Sequence, residues 1–233
     1  MILRRIANGI KNQDWFVVFI EIIIVVLGVY IGLYLGDIQE ERKLAKDTNQ
    51  SLIALELELR SDLTRVDEII AHQRLMISTF KAVVRNLNSP EIDNDQLKQG
   101  FLFIDSGSDT FFQNQSAYQT MQTSGYLPAL PDEALRLQIT KLFEREFERQ
   151  EFVANLYDEV NQKIKIHIFT RSWDTENGRL VNTDPIEIIR LRNGVSRMSV
   201  IGNYYLKFIE NTVRPEMIET LEMIDEYQGE GEE

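Results

Sequence analysis

The chain has 233 residues, no cysteine and a formal net charge of −12. Without cysteine there is no disulfide, no thiol nucleophile and no thiolate metal site. Acidity of that size argues against a nucleic-acid partner and against docking on anionic headgroups, and the length allows a membrane segment plus one domain with a real core.

The first residues, MILRRIANGIKNQD, place Ile2, Leu3, Ile6 and Ile10 on one side of a short helix, the pattern of a basic segment lying along a membrane interface. Trp15 to Gly36 then reads WFVVFIEIIIVVLGVYIGLYLG, with Glu21 as its one charge. At ~1.5 Å per residue this run spans roughly 33 Å, the thickness of a bilayer's hydrocarbon layer, so 15–36 is expected to be a transmembrane helix. A cleavable signal peptide would have a shorter apolar core and a small-residue cleavage motif, whereas Leu35, Gly36 and Asp37 lead straight into QEERK. The anchor is therefore expected to be retained.

Gly28, Gly32 and Gly36 recur every fourth residue and leave a groove in which a second backbone can approach closely. Glu21 falls only ~20° from Gly28 around the helix axis, so acid and groove share a face. A carboxylate facing lipid is costly. Glu21, Gly28, Gly32 and Gly36 are thus expected to pack against protein, a second copy or another membrane protein, with snorkelling of Glu21 toward the interface near Trp15 as the alternative. Lys and Arg do not decide orientation: Arg4, Arg5 and Lys11 precede the anchor, and Arg42, Lys43 and Lys46 follow it. The α-amino charge tips the balance toward a cytoplasmic N-terminus and a periplasmic C-terminal domain.

From Asp37 to Asn88 no proline interrupts a helical stripe of Leu52, Leu55, Leu59, Leu63, Val66, Ile70, Ile77, Val84 and Leu87. The stripe slips out of heptad register, which favours packing against later helices over a coiled coil. Asn88, Ser89 and Pro90 end it. Residues 91–108 read as a loop with a short helix around Phe101 to Ile104, and Ser108 or Asp109 is expected to cap a helix, TFFQNQSAYQTMQTSG, that stops at Gly125. Pro131, Asp132 and Glu133 open a second long helix, 131–171, with Leu135, Ile139, Leu142, Phe143, Phe147, Phe152, Leu156, Val160 and Ile164 as its core side. KIKIHIF alternates like a strand but has no pairing partner and is assigned to the helix. Residues 172–184 are rich in turn formers. Asp184 and Pro185 then open a short helix closed by Gly194. A last helix, 195–228, turns Ile201, Tyr205, Phe208, Ile209, Ile218, Leu221 and Ile224 inward, is kinked by Pro215, and ends in a frayed tail, GEGEE. The fold class is all-α: one N-terminal transmembrane helix continuing into a long helix that packs in an extramembrane helical bundle.

Chemistry is sparse. His72 and His167 are far apart and lack the Glu-x-x-His spacing of a di-iron bundle, and there is no phosphate loop, nucleophile elbow or zinc motif. Glu144, Glu148 and Glu151 share a face but alternate with Arg145 and Arg149, the pattern of a solvated charged surface. No catalytic residue, metal ligand or cofactor is expected, and the chain is read as a non-enzyme. The densest atypical cluster is Phe111, Phe112, Tyr118, Met121 and Tyr126, with Asn114, Ser124, Gly125 and Leu127 among them. It either closes one end of the bundle or forms a ligand pocket or docking surface.

EIIIVVLGVYIGLYLGDIQEERK resembles the start of a set of bacterial single-pass membrane proteins catalogued as a domain of unknown function, family 6090, and YQTMQTSGYLPALPDEAL resembles that family's Ser-Gly turn before an Asp-led helix. The matching positions are Glu21, Gly28, Gly32, Glu41, Tyr118, Met121, Ser124, Gly125, Leu127 and Asp132; Gly36-Asp37-Ile38-Gln39 stands where the family commonly has an Asn-Trp pair. The resemblance implies a helical domain anchored in a bacterial inner membrane and brings no known activity. The reading is a noncatalytic, membrane-anchored interaction protein that forms a homo-oligomer or serves as an accessory subunit of a membrane complex. The alternatives are a ligand sensor signalling through the continuous helix and an unrecognised enzyme.

Overall fold

The computed structural model describes residues 15–107 and 110–230, without the side chains of residues 15–18, 21 and 230. The interfacial segment at 1–14, the caps at Ser108 and Asp109, the Glu21 side chain and the last three residues of the tail lie outside the described residues. The class is all-α as expected, a long N-terminal apolar helix followed by a helical bundle, with one two-stranded hairpin among the described residues.

The chain divides after Gln50 into two units. Helix α1 (Trp15–Leu87) begins in the first. There its large apolar side chains from Phe19 to Leu35 are all exposed, from 39% at Ile20 to 67% at Tyr30.

In the second unit α1 buries Leu52, Leu55, Leu59, Val66, Ile70, Ile77 and Leu87. Asn86 pins the turn that follows, its Nδ2 donating to the Asp93 carbonyl at 2.7 Å and its Oδ1 accepting from the Asp93 N–H at 2.9 Å. Asp93 then caps α2 (Asn94–Asp105) by accepting from the Gln96 N–H. Helix α2 approaches α1 so closely that a Cβ on Gly100 would lie 2.4 Å from Cγ2 of Val83. Val83 is β-branched and buried and has little freedom to yield. Gly100→Ala is therefore expected to destabilise the bundle by about 1–3 kcal/mol, and Val83→Ala to recover part of that loss in the double variant, as read by urea unfolding.

The helix expected from Thr110 begins only at Ser116: α3 is Ser116–Thr123. Residues 110–115 are not helical because their polar groups are claimed from other elements. The Thr110 hydroxyl donates to Asp158, the Phe111 N–H donates to Tyr205 Oη, the Phe111 carbonyl accepts from Gln150, and the Asn114 N–H donates to Asp62. Helix α3 ends where expected, with Gly125 at φ +75°. A short α4 (Tyr126–Ala129) follows, and Asp132 caps α5 (Glu133–Lys141) by accepting from the Leu135 N–H at 3.0 Å.

From residue 133 to residue 172 the chain stays helical, through a π turn at Leu142–Glu146, α6 (Phe147–His167) and a second π turn at Ile168–Ser172. The first π turn overturns part of the expected core. Its extra residue rotates everything after it by ~100°, so Leu142, Phe143, Glu146 and Phe147 all face inward. Val153, Ala154, Tyr157 and Asn161 then take the inner side, and Phe152 and Leu156, expected inside, face out.

Strands β1 (Trp173–Asp174) and β2 (Arg179–Leu180) pair antiparallel within the segment read as turns. Gly194 does not end a helix: α7 runs Pro185–Phe208 straight through it. A Cβ there would come 3.3 Å from Cγ2 of Ile164, so this glycine serves close packing of α7 on α6. A third π turn, Ile209–Val213, precedes α8 (Arg214–Glu230). Pro215 thus falls where the backbone has already left the α pattern, which accommodates its ring and missing N–H.

Two apolar clusters result. The first joins α1, from Leu52 to Ile77, with α3, α5, α6, the end of α7 and α8; the second joins Met76, Phe80, Val83 and Leu87 with α2, the hairpin and the start of α7.

Candidate functional site

Phe111, Tyr118 and Met121 are buried in the first cluster, Tyr126 is half-buried beside it, and Phe112 is 47% exposed. Tyr118 stacks on Phe143 with centroids 4.3 Å apart and planes 6° from parallel, and its hydroxyl donates to Glu144 at 2.8 Å. Burial, joined by the Glu144 carboxylate, raises the Tyr118 phenol above its usual range, so it stays protonated and serves as a donor.

A buried polar strut runs behind these aromatics. Tyr157 donates to Gln73 Oε1 at 2.9 Å, and its ring lies parallel to that of Tyr205 at 5.1 Å. Tyr205 Oη accepts the Phe111 N–H at 2.7 Å, and Gln150 Nε2 donates to the Phe111 carbonyl at 2.5 Å. Burial pushes the Tyr157 phenol up to about 12 and the Tyr205 phenol higher still. Both are neutral hydrogen-bonding groups at physiological pH, suited to holding residues 110–115 in place rather than to moving protons.

Acids of α1 hold the other end of that segment. Glu58 accepts from the Ser116 hydroxyl and, at 3.0 Å, from the Ala117 N–H, which substitutes for the side-chain cap that α3 lacks. Asp62 accepts the Asn114 N–H at 2.8 Å. Burial, helped by the charge of Glu58 and opposed by that hydrogen bond, raises the Asp62 carboxyl above the ordinary carboxylate range. The folded chain therefore holds the Asp62 proton more readily than the unfolded chain, and stability is lost as pH rises from the ordinary value through the raised one. Asp62→Asn keeps an acceptor for Asn114 and has no charge to form. Its melting temperature relative to the parent is expected to climb between about pH 4 and about pH 7 and then level off; a constant difference would contradict the assignment.

The Glu144, Glu148 and Glu151 face is solvated, and the buried acid of this region is Glu146, 1% exposed and held by Arg145 at 2.6 Å and Arg149 at 3.7 Å. Sequence pattern alone passes over it, because the π turn rather than the α period turns it inward. His72 and His167 join no group of potential metal ligands among the described residues. A cavity of about 630 Å³ lies between Asp105 at the end of α2 and Asp158, Lys165, Ile166 and Phe169. Burial lowers the pKa of the Lys165 ammonium, opposed by the charges of Asp105 and Asp158. None of Phe111, Phe112, Tyr118, Met121 and Tyr126 lines this cavity.

In the first unit, a Cβ added at Gly28, Gly32 or Gly36 would meet nothing within 4 Å. The groove is open in the single chain. α1 is also long and apolar enough to cross a membrane, and none of its most apolar window is buried.

Over residues 21–193 the chain matches the family of unknown function DUF6090, and it belongs to that family. The matched span holds Gly28, Gly32, Gly36 and the turn at Gly125, and ends within α7. No curated protein and no solved structure matches the chain.

Proposed function

We propose that the protein is a noncatalytic interaction module anchored in a bacterial inner membrane by residues 15–36. Its N-terminus lies in the cytoplasm, its bundle outside, and Glu21, Gly28, Gly32 and Gly36 pack against a second copy or a larger membrane complex. The observation that carries this reading is the complete exposure of the large apolar side chains between Phe19 and Leu35, on a helix that buries its apolar stripe normally from Leu52 onward. An apolar surface of that extent is stable only in lipid or against protein.

Carbonate extraction of membranes carrying the full chain tests the anchor: the protein is expected in the pellet, and release into the supernatant counts against it. Single cysteines at Asn12 and Gln228, in a chain with none of its own, report orientation by labelling in intact cells, with only Gln228→Cys expected to react with an impermeant maleimide. Gly32→Leu fills the groove and is expected to reduce the size of the assembly in lipid nanodiscs. The cavity beside Lys165 supports the second reading, a ligand sensor; a metabolite that raises the melting temperature of the parent but not of Lys165→Ala would favour it.

A further inference from the structure

The outer face of α6 and α7 is apolar where a solvated bundle would be polar. Phe152 and Leu156 on α6 are 71% and 44% exposed, and Val200 and Tyr204 on α7 are 67% and 57% exposed. The two helices are antiparallel in fixed register: the Arg149 guanidinium sits 5.1 Å above the Phe208 ring, Tyr157 meets Gly202, and Ile164 meets Gly194. That register sets Phe152 and Leu156 at the height of Val200 and Tyr204, so the four form one patch.

Charge selects the occupant. In a chain of net charge −12, α7 carries Arg190, Arg192, Arg197 and Lys207 against a single acid, Glu187. α6 exposes Glu148 and Glu159 beside its apolar pair. A two-fold axis perpendicular to the helices would stack α7 on the α7 of a second copy, basic on basic. An axis parallel to the helices lays α7 of each copy on α6 of the other, apolar on apolar and basic beside acidic, with Glu159 level with the partner's Arg197 and Glu148 near the partner's Lys207. It also keeps both copies of α1 pointing the same way, as two chains anchored in one membrane require; this clause rests on the proposed anchor.

We infer that two copies of the chain pair through α6 and α7 about a two-fold axis parallel to these helices, with Phe152 and Leu156 of each against Val200 and Tyr204 of the other. The absence of cysteine makes the test direct. Phe152→Cys and Tyr204→Cys are introduced into full-length chains with different tags and the chains are mixed in lipid nanodiscs. The disulfide joining the two variants is expected to exceed either self-paired product by about tenfold. Arg197→Glu is expected to weaken association about tenfold, and adding Glu159→Arg to restore it, which a general loss of folding would not allow. Predominance of the self-paired products, or an assembly of parental size that Val200→Asp with Tyr204→Asp leaves unchanged, overturns the inference and leaves the anchor standing. A mixed disulfide in a chain that fails carbonate extraction keeps the inference and overturns the anchor. A monomer at all concentrations overturns the inference.

Discussion

Tyr205→Ala is expected to destabilise the bundle by about 3–5 kcal/mol, the range for deleting a fully buried aromatic side chain. Tyr205 is wholly buried, stacks on Tyr157 and receives the Phe111 N–H through its hydroxyl at 2.7 Å. Tyr205→Phe separates these roles. It keeps the ring and leaves a buried amide without an acceptor, so a loss of about 1–3 kcal/mol is expected from that group alone. Urea unfolding reads both values, and hydrogen exchange at Phe111 should accelerate in Tyr205→Phe. Parental stability together with unchanged exchange at Phe111 would show that residues 110–115 are held by something other than this hydroxyl.

Deleting Glu144 is expected to be tolerated, whereas deleting Asn155 should abolish folding. Glu144 sits inside the π turn at Leu142–Glu146, where one residue more than an α-helix needs has already been accommodated. Its removal returns the turn to the α pattern and leaves the residues on either side facing as before, at a cost of about 1–2 kcal/mol for the lost Tyr118 hydrogen bond and local repacking. Asn155 lies in regular α-helix. Its removal rotates Tyr157, Asn161 and all that follows by ~100°, pulling the Tyr157 ring from Tyr205 and its hydroxyl from Gln73. Circular dichroism melts decide: a cooperative transition near the parental temperature for the first deletion and none for the second. Equal damage from both would mean that the π turn is not a removable insertion.

The same π turn marks the limit of what the sequence reveals. The long apolar stripe of α1, the positive-φ glycine after α3 and the Asp132 cap are written in local spacing and local hydrogen-bonding chemistry, and the structure has all three. Phe152 and Leu156 continue the α period of Leu142 and were for that reason assigned to the core; no local signal announces the extra residue that turns them out. Gly194 and Gly100 fail in a related way. A glycine that ends a helix and one that lets two helices touch look alike until the neighbour is known, here Ile164 and Val83. Residues 110–115 have helical composition but bond to Tyr205, Gln150, Asp62 and Asp158, partners 39 to 94 positions away along the chain. For the aromatic cluster, sequence located the residues and left open what they face.

The second half of α1 also governs how the bundle comes apart. Met76 and Ile77 are neighbours in one helix yet belong to different apolar clusters. Neither cluster can melt without unwinding the rod that supplies a wall to the other, so the two halves share one cooperative fate. Calorimetry of the full chain should accordingly give a single endotherm for the bundle whose calorimetric and van't Hoff enthalpies agree.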